Sequence, residues 1–307
     1  MNKTYLDTAR MLVQVAPLVF RDSPFALKGG TAINLFVRDM PRLSVDLDLV
    51  FADHRLARDT ALTRINDALA ASADRLKAHR FAIRKQTTSR AGDTKLHVRR
   101  GNIEVKVEVN FVLRGTVHPV RMASLTATAR EALQADLEIP VVADEDLYAG
   151  KLVAALDRQH PRDLFDVMQL MANGGLTPEL RRTFVIYLAS HNRPIHELLF
   201  PALRDISQEY ERTFSGMTSD PVERSDLLAT RTAMVADLRG GLDPDDREFL
   251  LCVARAEPDW SRTPYAHASE LPALQWKLLN LRKLRESHSK RFAAQHGELR
   301  KRLDHHD

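Results

Sequence analysis

Cysteine is almost absent from this chain: Cys252 is the only one in 307 residues. That excludes an internal disulfide framework and a cysteine-built zinc site. Long apolar runs are also missing, and none approaches the roughly 18–20 residues that a membrane-spanning helix needs. The opening Met1-Asn2-Lys3-Thr4 has neither the basic nor the apolar region of a signal peptide. Aromatic residues amount to only 6%, and no internal repeat or low-complexity tract stands out. These absences predict a cytoplasmic protein with no membrane partner. What the chain does have is core material, 44% hydrophobic residues, enough for one core or two.

The net charge of +4 is unevenly spread. From Lys277 onward, nine Lys or Arg residues stand against four acids, so the rest of the chain is close to neutral. A basic C-terminal helix of this kind suits a polyanionic partner, although the same composition describes a solvated helical surface.

Residues 5–20 carry apolar positions at helical spacing. Phe25-Ala26-Leu27 reads as a short strand, Thr31 to Val37 as a helix, and Val45 to Phe51 as an alternating strand. A long helix is predicted over 54–79, followed by strands over 81–87, 96–99 and 103–113. Another apolar run, Ile139 to Val142, leads into Asp144, an N-cap candidate, with Glu145 and Asp146 in the first turn. Beyond about residue 143 alternation fades and helical spacing dominates. The expectation is an α+β protein: a mixed-sheet domain over 1–142 and a helical domain over 143–307.

Three groups of residues carry candidate chemistry. Gly29 and Gly30 sit where a strand turns into a helix, a place where backbone amides can approach phosphate oxygens, and Thr31 adds a hydroxyl. No Gly-Lys-Ser/Thr follows, so this is not a Walker loop, and a plain tight turn has the same appearance. Asp46 and Asp48 occupy alternate positions of one strand, so both carboxylates leave the same face. Two like charges so close are costly without a cation, and oxygen-only donors suit magnesium. Glu108 lies on the polar face of the best-patterned strand and is a candidate third acid and metal ligand, to activate an attacking hydroxyl directly or through a second metal; Glu104, on the same face, is its rival. Farther on, Lys151 and Arg158 are seven residues apart on one helical face, within reach of phosphate oxygens. Arg162, a further candidate nucleotide contact, and Asp163 and Asp166, candidate catalytic acids, follow; Arg162 and Asp166 also have the spacing of an ordinary surface pair.

Together these residues resemble the AbiEii/AbiGii family of nucleotidyltransferase-like toxins from abortive-infection and type IV toxin–antitoxin systems. The resemblance rests on Leu27 to Ala32, Arg42 to Asp48, Glu108, Lys151 and Arg162 to Asp166, in that order along roughly the first 170 residues. It implies the minimal nucleotidyltransferase fold of the DNA polymerase β superfamily. It further implies triphosphate contacts at Gly29 and Gly30, magnesium at Asp46 and Asp48, nucleotide phosphates at Lys151, and a place near the active site for Asp163 or Asp166. Two departures are visible. The third acid is glutamate where many relatives of this fold use aspartate, and Gly30 stands where the turn can carry serine.

The function so implied is a magnesium-dependent toxin that moves a nucleoside monophosphate from a nucleoside triphosphate to an acceptor hydroxyl. The leading acceptor is the 3′ end of transfer RNA, with a cognate antitoxin as protein partner. Two other readings stay open: a protein side chain as acceptor, and a non-catalytic module that binds nucleotide or antitoxin.

Overall fold

The first structural unit is organised by alternation in three central strands. The computed structural model describes residues 3–88 and 93–305. The chain divides into one unit of Met1–Leu147 with Ser215–Pro221, and a second of Tyr148–Phe214 with Val222–Asp307. In the first, α1 (Lys3–Phe20), β1 (Phe25–Lys28), α2 (Gly29–Ala32), β2 (Asp46–Phe51), α3 (Arg58–Ala78) and β3 (Ala82–Thr88) are followed by β4 (Asp93–Arg100), β5 (Ile103–Asn110), β6 (Arg121–Ser124), α4 (Ala127–Leu133) and β7 (Glu138–Val141). The seven strands form one sheet in the order β3-β4-β5-β2-β1-β7-β6. β2 runs parallel to β5, and β1 parallel to β7; the other neighbours are antiparallel.

Period-two patterning separates the two faces of this sheet. Leu47 pairs with Val107 and Leu49 with Val109, and these four, with Phe51 and Val105 on the same face, are buried. α1 packs on β2, β5 and β7, and α3 lies against α1 and β3. Each large side chain buried this way contributes about 1.5–3 kcal/mol. The opposite face carries Asp46, Asp48, Glu104, Lys106 and Glu108, none of them fully buried. β6 and α4 have no counterpart in the sequence reading. β6 is four residues with one buried side chain, and α4 is a seven-residue helix closed by Gln134 in the left-handed region. Both are too short to show a period.

The expected change to helices is what the structure has. α5 (Asp144–Arg158) bridges the boundary, and α6 (Pro161–Ala172), α7 (Pro178–Ser190), α8 (Ile195–Leu199), α9 (Ser207–Thr213), α10 (Arg224–Gly240), α11 (Pro244–Ala254), α12 (Pro272–Ser287) and α13 (Ser289–Asp304) follow. Local chemistry starts several of them. Thr177 and Asp243 accept from the third residue of α7 and α11, and a proline occupies the first position of each. The basic C-terminal segment is also structural. Leu274, Leu278, Leu281, Leu299 and Leu303 are buried along α12 and α13. Lys277, counted in the sequence with the surface cations, is buried, and its ammonium donates to the carbonyls of Asn192 (3.4 Å) and Arg193 (2.6 Å). Burial pulls Lys277 down to about 8.

The capping box of α11 contains a group held against its ordinary titration. Burial, then the neighbouring Asp243 charge, pushes Asp246 up to about 6. A carboxyl raised on folding favours the folded state most below its unfolded value near 4, and that advantage is lost as pH rises through about 6. Asp246→Asn, which keeps an acceptor for the Asp243 amide, is therefore expected to raise stability by about 1–2 kcal/mol at pH 8. Below about pH 4 it should change little. Thermal melts at the two pH values test this, and an equal shift at both would exclude titration as its source.

Candidate active site

The β1–α2 turn and the start of β2 are built into each other. Gly29 has φ +77°, a region that favours glycine. A Cβ placed there would run into the Asp48 carboxylate. A Cβ on Gly30 would lie 2.8 Å from Arg42 Nη2 and 3.0 Å from Ser44 Oγ. The departure at Gly30 is thus accommodated: the Ser44 hydroxyl and Arg42 guanidinium crowd the place a serine side chain would begin. Thr31 is buried, and its hydroxyl donates to the Asp46 carbonyl at 2.5 Å with Ser44 Oγ at 3.1 Å. In this structure Thr31 ties the turn to β2. The helix then widens into a π turn over Ile33–Val37, and Asn34 Nδ2 donates back to the Gly30 carbonyl at 2.9 Å. Gly29→Ala is expected to lower catalytic turnover by about 10²-fold or more through displacement of Asp48, with a stability loss of about 1–2 kcal/mol from strain. Steady-state kinetics beside a melting curve measure both.

Register gathers the charged face. Lys28 is the cross-strand partner of Asp48, Asp48 of Glu108, and Glu108 of Lys95. One row of the sheet therefore reads lysine, aspartate, glutamate, lysine across four strands spaced about 4.8 Å apart. Lys95 Nζ lies 2.9 Å from Glu108 Oε1, with about a third of each side chain exposed. Asp46 begins the adjacent row, opposite Lys106. Glu104 lies farther along β5, opposite Arg99. It is bound by His97 Nδ1 at 2.9 Å and Arg99 Nε at 2.8 Å. The His97 hydrogen bond, against a smaller opposing effect of burial, holds the Glu104 carboxyl below its ordinary range. Glu108, not Glu104, is the acid beside Asp48.

The lead into β2 is buttressed by a segment that sequence reasoning missed. Ser215–Pro221 returns to this unit: Leu43 N donates to the Met217 carbonyl at 3.3 Å, and Ser219 N to the Pro41 carbonyl at 3.0 Å. Nothing in its composition signals this. Asp146, read as a first-turn acid, is buried and accepts from Val117 N (2.8 Å) and His118 N (2.9 Å), which fixes the loop after β5.

The residues expected from the helical half form a cluster of their own. Lys151 Nζ lies 2.9 Å from both Asp163 Oδ1 and Asp166 Oδ2, and all three side chains are buried. Arg158, 60% exposed, adds Nη2 to Asp163 at 2.8 Å. Arg162 is half-buried, and its backbone amide is capped by His160 Nδ1. Asp166 is turned inward to Lys151 and does not depend on a surface pair with Arg162. Burial alone would raise the Asp163 carboxyl, but the charges and hydrogen bonds of Lys151 and Arg158 outweigh it and hold it well below the usual carboxylate range.

Which donors suit a metal follows from the first unit. Asp46 and Asp48 supply hard oxygen donors on one half-exposed face, and magnesium takes further oxygens from water and phosphate. Among the described residues, no three His, Cys, Asp or Glu side chains are gathered as a metal cage; Glu108 is engaged by Lys95. The pair fits an ion that arrives with its phosphate ligands.

A glycine turn packed on a carboxylate strand, with a third acid on the parallel neighbour, is an arrangement whose chemistry suits nucleotidyl transfer. The family model for "Nucleotidyl transferase AbiEii toxin, Type IV TA system" matches residues 10–278, and the chain belongs to that family, within the polymerase β-like superfamily. Among solved structures, it is similar to MenT4, a nucleotidyltransferase toxin of Mycobacterium tuberculosis H37Rv, with a TM-score of 0.60 and 19% identity over 90% of this chain and 94% of that one. At that identity the likeness concerns the fold. No curated protein sequence matches the chain.

Proposed function

We propose that this protein is a magnesium-dependent toxin that transfers a nucleoside monophosphate from a nucleoside triphosphate to an RNA hydroxyl, with the 3′ end of transfer RNA as acceptor. The observation that carries this reading is the Lys28–Asp48–Glu108–Lys95 row beneath the Gly29 turn. Asp46 and Asp48 would hold the magnesium, which when bound neutralises triphosphate charge and polarises the reacting phosphate. Amides of the Gly29–Gly30 turn offer donors to phosphate oxygens. Glu108 takes the proton of the attacking hydroxyl as the new oxygen–phosphorus bond forms and the bond to pyrophosphate breaks. Lys95 fixes the direction of that carboxylate. Positioning and fixed charge then supply most of the rate.

Blocking the 3′ end of transfer RNA would stop translation, and a cognate antitoxin would restrain it. Among the described residues, no helix is long and apolar enough to cross a membrane.

The test is to incubate the protein with magnesium, each α-labelled nucleoside triphosphate in turn, total RNA and lysate protein. Label on transfer RNA, absent with Asp46→Ala, is the expected result. Label on protein would replace the acceptor, and no label under any nucleotide would overturn the enzymatic reading.

A further inference from the structure

The charged face that holds Asp46, Asp48 and Glu108 does not stop at β5. It continues across β4 to β3, the edge strand of the sheet. The row of Asp48 and Glu108 runs on through Lys95 to Gln86, and the row of Asp46 runs through Lys106 and His97 to Arg84. Arg99 stands in the next row, opposite Glu104. Among residues whose side chains are described, the cations on this extension are Lys95, Lys106, Arg99 and Arg84, and the acids are Glu104 and Glu108. Both acids are already engaged: Glu108 by Lys95, and Glu104 by His97 and Arg99. Arg84 and Lys106 are exposed. Lys106 makes no ion pair among the described residues, and Arg84 acts on Glu104 only through its charge.

We infer that the β3–β4–β5 face is the platform along which a single-stranded RNA acceptor lies, with its reacting hydroxyl at Glu108 and its preceding phosphates over Lys106 and Arg84. This rests on the reading of Glu108 as the acid that receives the acceptor's proton. Two strand spacings separate Glu108 from β3, about 10 Å. That length matches about three stacked nucleotides at 3.4 Å per step, so phosphates that follow the reacting end fall where the exposed cations are. His97 on β4 is nearly buried and hydrogen-bonded to Glu104 and Gln86. Among the described residues β3 has no strand beyond it in this sheet, so the strand of RNA can leave over that edge. A phosphate chain is favoured over an acidic peptide because the cations are spread over three strands along a path and are not gathered at a point.

Arg84→Ala combined with Lys106→Ala tests the platform, with Lys85→Ala as the control. Lys85 neighbours Arg84 on β3 but points from the opposite face. Binding of a fluorescent single-stranded RNA 12-mer is measured by anisotropy across a salt series, without nucleotide or metal. An acidic peptide of equal charge is measured in parallel. The double variant is expected to bind RNA about 10-fold more weakly, with the slope of log affinity against log salt reduced by about 1.4, near 0.7 per lost phosphate contact. Lys85→Ala should bind as the parent does. In transfer assays the double variant should show a raised KM for RNA with KM for nucleotide and kcat unchanged. Unaltered RNA affinity and salt slope in the double variant would overturn the platform even where nucleotide transfer is intact. An equal loss in Lys85→Ala, or tighter binding of the peptide than of RNA by the parent protein, would also overturn it. Weakened RNA binding in the double variant, in a protein that transfers no nucleotide, would keep the platform and reject the catalytic reading.

Discussion

Asp46→Ala and Asp48→Ala should each lower nucleotide transfer by about 10³-fold or more while the fold persists. Both carboxylates project from one face at the start of β2 and are only half-buried. The strand itself is held from the other face by Leu47, Leu49 and Phe51, so truncation to alanine removes charge without opening a core cavity. Each melting temperature should stay within a few degrees of the parent's, because Asp48 shares a row with Glu108 and Asp46 lies in the adjacent row, an arrangement that like charges make costly. Asp48→Asn is the sharper variant: it keeps the shape against Gly29 and removes only the charge. Transfer by Asp48→Asn at a tenth of the parental rate or better would show that the charge of this carboxylate is dispensable. A matching drop in melting temperature would instead assign Asp48 to folding.

What could be read before the structure depended on how local the cause was. Asp46 and Asp48 were recognisable because strand period places both on one face by covalent geometry alone, and the valines of β5 declare their face the same way. Glu108 could not be separated from Glu104 in sequence, since both share that face. The parallel register of β2 and β5 distinguishes them by placing Glu108 beside Asp48. Lys28, present only as part of the Leu27–Ala32 motif, and Lys95 had no assigned role for the same reason: each becomes part of the charged row only through pairing across strands distant in the chain. The return of Ser215–Pro221 to the first unit is more distant still. Thr31 shows the reverse limit. A hydroxyl after two glycines has the right chemistry for phosphate, yet its hydrogen bond to the Asp46 carbonyl depends on where a second segment passes.

Lys151→Met should be the most destabilising of these changes, and its pH dependence identifies the cause. The ammonium is the shared partner of two carboxylates that are almost wholly buried, Asp163 and Asp166. Removing one member of a buried ionic cluster leaves uncompensated charge and costs about 3–5 kcal/mol, or about 10 °C in melting temperature for a unit of this size. Arg158 remains on Asp163, which places the expectation toward the lower end. In the parent, the carboxyl of Asp163 is held below its ordinary range by Lys151 and Arg158 against burial. Its contribution is therefore complete above the unfolded value near 4 and is lost as pH falls through the folded value. Without Lys151, burial acts on Asp166 with less opposition, and a carboxyl raised by burial gains stability on acidification. The melting curves of parent and variant should thus converge between pH 7.5 and pH 4. Adding Asp166→Asn to Lys151→Met should recover part of the loss at pH 7.5 and none at pH 4. Whether Lys151 also serves nucleotide phosphates is then decided by KM for nucleotide, measured well below the variant's melting temperature. A constant gap between the two melting curves at every pH would mean that the loss comes from packing of the lysine stem and not from the carboxylates it neutralises.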